Sequence, residues 1–293
     1  MTSFNKVNSS EYFLLDKPKT AYLPIIISSP HSGTHYDKKF LDLTGNREPL
    51  YKQLEDMYVN ELIKDFNNYG STLLLSKISR AVIDLNRDKK EIDSNLIKDL
   101  PNGEFLNTNY VKSGIGLFPR FSADRQKLYL KDFSWSEAKL RIKKYYTPWH
   151  SQISSLINEL SSAFNFCLLL DYHSMPSDSQ SILEKRNQII IGNDYGKSCD
   201  PEITNFIKDL FLSKGYSVGI NKPFAGGYIT KNYYNLVNNI NTLQIEISRD
   251  LYMNEKNFER NSDFWNLKNN LNLINKDISE FIKGRCNKKI AAE

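Results

Sequence analysis

The sequence predicts a layered α/β fold with a mostly parallel sheet. Short apolar runs of strand length recur along the chain, each bounded by Gly, Pro, Ser or Asn. Several of them are apolar throughout instead of alternating, as strands covered on both faces are. Stretches of helical spacing lie between them, and strands alternating with helices give a sheet packed between helices.

Taken in order, the strand-like runs are LPIIIS (23–28), TLLLSKIS (72–79), AVIDL (81–85), FCLLLDY (166–172), QIIIGND (188–194) and TLQIEIS (242–248). The first expected helix covers 48–69, with Leu50, Leu54, Tyr58, Leu62 and Phe66 at helical spacing. The second, 134–163, opens on SWSE, a Ser with Glu three residues later, which is a capping-box pattern. The third, 201–214, starts with Pro201 after Asp200, a first-turn proline behind a good cap. Residues 254–284 form a long closing helix or a pair. Residues 86–133 are rich in Asn, Asp, Lys and Gly with weak periodicity, and a connection this long is more often functional than idle.

A chain of 293 residues can bury a large core, as one big domain or two small ones. With no repeat, low-complexity tract or linker, residues 1–293 read as one domain, its motif-bearing core at roughly 20–255 and a helical C-terminal region at 254–284. The composition, 40% apolar and 25% charged, is that of an ordinary globular protein. The net charge of +5 is spread over many lysines, and no nucleic-acid motif accompanies it, so nucleic acid is not an expected partner. No apolar run approaches membrane-spanning length, and the start, MTSFNKVNSSEYF, lacks an apolar signal core, so a cytoplasmic protein without a membrane partner is expected. The three cysteines, Cys167, Cys199 and Cys286, are scattered and form neither a disulfide framework nor a paired metal motif. Cys167, inside an apolar run, reads as a small core residue. A metal site in this chain has to be built from His and carboxylate.

Two of the four histidines are placed unusually. His31, in IIISSPHSG, and His173, in LLLDYHSMP, each follow a buried-looking strand, and ligands bind outside the carboxyl ends of strands in open α/β sheets. They are either two ligands of one cleft or two loop histidines satisfied by hydrogen bonds. Glu55 and Asp56 lie on the expected 48–69 helix, Glu55 within the apolar stripe and Asp56 at its edge. A carboxylate facing a core needs a partner, and a cation would supply one. Interaction with the helix dipole is the simpler reading of either acid alone. Glu246 alternates with Leu243, Ile245 and Ile247 and so shares a face with Gln244 and Ser248. An exposed edge strand and a general base on a cleft floor account for it equally well. SRAVIDLNRD (79–88) offers Arg80, Asn86 and Arg87 as anion binders. FAGGYIT (224–230) offers Gly226-Gly227, where backbone can approach a ligand or simply turn.

In this order the stretches PHSG, DMYVNEL, SRAVIDLNR, GIGLFPR, PWH, DYHSM, IIGND, FAGGYIT and LQIEISRDLYM resemble the N-formylglutamate amidohydrolase family over roughly residues 20–255. Those enzymes remove a formyl group late in histidine degradation, and the family is similar to the zinc carboxypeptidases and the aspartate and succinylglutamate deacylases. The resemblance implies a three-layer α/β/α sandwich with a mixed, mostly parallel sheet and one zinc per chain. It makes His31, Asp56 and His173 the zinc ligands and Glu246 the general base. It matches Asn86 and Arg87 to a pair that holds a substrate carboxylate, and leaves Arg80 as a second anion contact and as the candidate cation for an acidic side chain. Carboxypeptidases keep their acidic ligand three residues after the first His, where this chain has Thr34, so the acid is expected from the following helix. There the family register selects Asp56 over Glu55. The activity implied is hydrolysis of N-formyl-L-glutamate to formate and L-glutamate. The alternatives are a related zinc deacylase or carboxypeptidase on another N-acyl amino acid or peptide end, and a non-catalytic metal- or anion-binding protein of the same fold.

Overall fold

A computed structural model describes residues 8–18, 22–179 and 186–290. The first seven residues, part of the polar start discussed above, lie outside the described residues. The core is an eight-stranded sheet: β1 (Asn8–Ser9), β2 (Phe13–Asp16), β3 (Ile25–Ser29), β4 (Thr72–Ser76), β5 (Cys167–Met175), β6 (Ile189–Gly192), β7 (Val218–Ile220) and β8 (Ile240–Ser248). Their order across the sheet is β1-β2-β4-β3-β5-β8-β6-β7. The central β4, β3, β5 and β8 run parallel, as do β6 and β7, while β1 and β2 join antiparallel on one side and β6 on the other. The sheet is mixed and parallel at its centre, as expected.

Alternation along the central strands divides the two faces. Ile25, Ile27, Leu168, Leu170, Leu243 and Ile245 point to one side. There they meet the short helix Val59–Ile63 and the helices Pro201–Ser213 and Phe264–Ile290. On the other side Ile26, Leu74, Cys167 and Leu169 meet Trp149, Ile153, Leu156 and Leu160 of helix Thr147–Phe164. Helices therefore cover both faces of the sheet. The second face changes character along the strands. Beyond Leu169 it carries Asp171 and His173, and on β8 it carries Gln244, Glu246 and Ser248, all buried. The same pleat that makes a core at one end of the strands builds a polar floor at the carboxyl end.

Four expectations are corrected. AVIDL is not a strand: Ala81–Leu85 is a turn whose apolar side chains are buried while its backbone crosses the strand ends. The continuous 48–69 helix breaks into Glu48–Lys52, Val59–Ile63 and a 3-10 turn at Phe66–Tyr69. The break holds Glu55 and Asp56, with Tyr58 in the left-handed region at φ 64°, so a helical wheel does not describe these acids. β8 lies between β5 and β6 inside the sheet, which removes the edge-strand reading of Glu246. β5 runs on through His173 to Met175, so that histidine stands within the strand and not beyond it.

Two capping expectations hold: Ser134 accepts from Glu137 N at 3.2 Å, and Asp200 accepts from Glu202 N at 2.8 Å. The 134–163 helix contains a π-helical turn, Ile142–Tyr146, just before Pro148, whose missing N–H interrupts the α ladder there. The 86–133 excursion is packed: Ile92, Leu96, Leu117, Phe118, Leu128, Tyr129 and Phe133 enter the core under helix Thr147–Phe164. Cys167 is buried in the same core. Among the described residues no helix is long and apolar enough to cross a membrane.

Candidate metal centre and cavity

At the carboxyl end of the sheet His31, Asp56 and His173 each offer a ligand atom, all within 4.8 Å of one another. His31 follows β3, His173 is on the adjacent β5, and the Asp56 N–H donates to the His31 carbonyl at 3.0 Å. That backbone bond pins the broken-helix loop against the strand end. Both imidazoles turn Nδ1 to Asp56 Oδ2, at 3.5 Å from His31 and 3.0 Å from His173. Each Nε2 meets a different buried carboxylate: Asp84 Oδ1 at 2.7 Å for His31, and Asp171 Oδ2 at 2.8 Å for His173. With the proton on Nε2, both Nδ1 lone pairs point into the gap beside Asp56. Such carboxylate–histidine pairs fix tautomer and ring orientation in metal sites. His31 Nδ1 is buried without a hydrogen-bond partner, as a ligand nitrogen awaiting a cation would be. Two imidazole nitrogens and one carboxylate suit zinc and leave a coordination position open.

The carboxylates around the histidines attract positive charge. Burial opposes charge on His173, yet Asp171, Asp56 and Glu246 hold its imidazole well above the ordinary range. Burial likewise opposes charge on Asp56, but the hydrogen bonds and charge of His173 and His31 keep its carboxyl well below its usual value. Arg249 holds Asp56 from behind. Its Nη2 donates to Glu55 O at 2.8 Å and to Asp56 Oδ1 at 3.4 Å, and its Nη1 to Gln53 O at 3.1 Å. Ser174 donates to the same Oδ1 at 3.1 Å, leaving Oδ2 to the histidines. Glu55 turns away, accepting from Tyr36 at 2.6 Å and from Ser79.

Glu246 is the register partner of His173 across β5 and β8. Gln244 Nε2 donates to its Oε1 at 2.9 Å. Burial raises its carboxyl to about 7, against the lowering pull of His173 and Arg80. The turn at Ala81–Leu85 brings in the rest. Arg80 Nε donates to Asp84 Oδ2 at 2.7 Å, and the charges of Asp84, Asp56 and Glu246 all act on its guanidinium. Asn86 accepts from Ile229 N at 2.7 Å through Oδ1, while its Nδ2 lies 3.1 Å from His173 Nε2 and 3.4 Å from Asp171 Oδ2. Arg87 donates from Nε to Ile115 O at 3.0 Å and from Nη1 to Asn86 O at 3.1 Å, its guanidinium 3.9 Å from the centre of the Tyr110 ring. Gly226, at φ 122°, makes a turn an L side chain resists, and Gly227 N donates to Gln244 Oε1 at 2.7 Å. A Cβ at Gly227 would run into the Asn86 side chain, so this glycine permits close backbone packing.

These residues line one cavity of about 520 Å³, rimmed by Tyr110, Ile115, Ser122 and Arg125 from the long excursion. A volume of that order suits a small molecule. Of the residues singled out from the sequence, His31, Asp56, His173, Glu246, Arg80, Asn86, Arg87, Gly226 and Gly227 lie on its wall, and Glu55 does not. The sequence reading missed Asp84, Asp171 and Arg249. Asp84 and Asp171 each sit in an apolar stretch, IDL and LLLDY, and a lone acid there was the available signal.

The N-formylglutamate amidohydrolase family model matches residues 23–253. The chain belongs to that family. Among curated proteins it is similar to the N-formylglutamate deformylase of Pseudomonas aeruginosa, 28% identical over 242 residues, covering 81% of this chain and 85% of that protein. The deformylase of Pseudomonas putida is 27% identical over 238 residues, with 80% and 83% covered. Among solved structures, the N-formylglutamate amidohydrolase of Ralstonia eutropha JMP134 superposes with a TM-score of 0.89 at 28% identity, covering 93% of this chain and 98% of that one. Fold and family thus agree with the sequence reading.

Proposed function

We propose that this chain hydrolyses N-formyl-L-glutamate to formate and L-glutamate, using one zinc ion held by His31, Asp56 and His173. The observation that carries this reading is the buried carboxylate of Glu246 beside His173, inside a cavity that also presents Arg87. A binding protein of this fold needs no base there. When bound, zinc would polarise the formyl oxygen and lower the pKa of water from about 15.7 to about 7.

The remaining steps belong to side chains of this chain. Glu246 takes a proton from the attacking water as its oxygen adds to the formyl carbon. Arg80, held by Asp84 among the carboxylates of the centre, supplies N–H donors to the oxygen that becomes negative. Glu246 then returns the proton to the amine nitrogen as the C–N bond breaks. Arg87 and the second N–H of Asn86 take the α-carboxylate and so orient the amide. Stacking on Tyr110 and two carbonyl acceptors hold the Arg87 guanidinium in one place before substrate arrives. Histidine degradation in the cytoplasm is the setting this chemistry fits.

The test is product analysis with zinc-loaded protein. Formate and glutamate should appear in equal amounts from N-formyl-L-glutamate, faster than from N-acetyl- or N-succinyl-glutamate. Preference for a longer acyl group would move the chain to another deacylase class.

A further inference from the structure

N-formylglutamate carries two carboxylates, and the proposed function places only one. Arg80, the cation expected from sequence for the second, is committed elsewhere. It is bound to Asp84 and acted on by Asp56 and Glu246, which holds it at the candidate metal centre. Four other cations line the cavity: Arg87, Arg125, Lys231 and Arg249. Arg249 spends all three of its nitrogens on Ser174, Gln53, Glu55 and Asp56. Arg87 is placed for the α-carboxylate. Arg125 donates Nη1 to Ser113 O at 2.7 Å and lies over the Phe121 ring. Lys231 alone among them has no ion pair or side-chain hydrogen bond among the described residues, and it is exposed into the cavity.

Its position follows from the glycine turn. Lys231 N donates to Gly227 O at 3.2 Å, so Lys231 stands one helical turn beyond Gly227 on the helix Tyr228–Tyr233. Helical side chains lean toward the N-terminus, over the preceding turn. The Lys231 stem is therefore directed back over Gly226-Gly227, and Gly227 packs on Asn86. Asn86 in turn touches His173. The cavity wall thus runs from the candidate metal centre, past the α-carboxylate contacts, to a free ammonium.

Resting on the proposed function, we propose that Lys231 reads the side-chain carboxylate and sets the preference for acidic N-formyl amino acids. An ammonium on a flexible stem suits this role: a charge to be met in water at a cavity mouth needs no fixed fork geometry.

The experiment compares kcat/KM on N-formyl-L-glutamate and on its neutral isostere N-formyl-L-glutamine, for the parent, Lys231→Met and Arg125→Met. For Lys231→Met the glutamate value should fall about 10–100-fold while the glutamine value stays within about threefold, so that selectivity collapses through KM. Arg125→Met should keep the parental ratio. Equal losses on both substrates, or an unchanged ratio, would overturn the assignment to Lys231. Loss of selectivity only in Arg125→Met would transfer it to Arg125. A zinc-loaded parent that releases formate from neither compound would overturn the proposed function itself, and this assignment with it.

Discussion

Glu246 and His173 are neighbours across the β5–β8 ladder, on the one face of the sheet that turns from apolar to polar along its strands. Parallel pairing fixes that neighbourhood by backbone register alone, so a carboxylate and an imidazole are set side by side before any loop is positioned. His31 is brought to the same place by β3, which pairs with β5 through Ile25–Ser28. His31 itself stands just past the end of β3, and Asp56 arrives on a loop that a backbone bond from Asp56 to His31, together with Arg249, holds in place.

The ligand set predicts a sharp contrast between adjacent acids. Asp56→Asn should lose tightly bound zinc, whereas Glu55→Gln should keep it, because Glu55 faces Tyr36 and Ser79. Metal content of the two purified variants decides this. Zinc retained at parental affinity by Asp56→Asn would remove Asp56 from the set.

Asp171 pairs with Nε2 of His173, on the far side of the ring from Asp56. Asp171→Asn removes the negative partner of His173 Nε2 and should weaken zinc binding about 10–100-fold, the usual effect of losing such a partner. Competition against a chromophoric chelator measures it. An unchanged dissociation constant would mean that the strand and Asn86 suffice to hold the ring.

Arg87→Ala should leave zinc content intact and reduce kcat/KM for N-formyl-L-glutamate by about 2–5 kcal/mol of transition-state binding, as for one side of a buried charge pair. Parental kinetics would take Arg87 out of the substrate site.

A separate prediction concerns stability. His150 is packed among the rings of Tyr146, Tyr228 and Tyr233 and pairs through Nδ1 with the Tyr233 hydroxyl at 2.7 Å. Desolvation lowers its pKa to about 3. The unfolded chain binds a proton there below about 6.5 and the folded chain does not until about 3. Its contribution is therefore present above about 6.5 and is lost as pH falls. Between pH 6 and 4, His150→Phe should lessen the acid loss of stability by up to about 1.4 kcal/mol per pH unit. Urea unfolding at several pH values reads the difference in slopes, and parallel curves would refute it.

The strands were legible because β3, β4, β5 and β6 contain continuous apolar runs that a doubly covered sheet buries, while β8 alternates aliphatic and polar residues. AVIDL shows the limit of that signal. Its apolar residues are buried as a strand's would be, but they belong to a turn whose purpose is to deliver Asp84, Asn86 and Arg87 to the strand ends. The broken helix at 53–58 was hidden for a similar reason. Its apolar spacing satisfies the core, while the kink at Tyr58 comes from tertiary contacts: Asp56 N to His31 O, and the Tyr58 hydroxyl donating to Phe258 O at 2.9 Å. Asp171 and Asp84 look like stray acids in apolar stretches until two imidazoles are found beside them. Lys231 carries no mark in the sequence at all, because being without a partner is a property of the folded cavity.

Glu246→Gln tests most directly whether Glu246 is the base of a metal-assisted hydrolysis. The amide keeps the shape and can still pair with Gln244, so zinc content and binding of N-formyl-L-glutamate should match the parent. The measurement is kcat for formate release at full zinc occupancy. A fall of about 10²–10⁴-fold is expected, the usual contribution of general acid–base catalysis. A Gln variant that releases formate at the parental rate would contradict it.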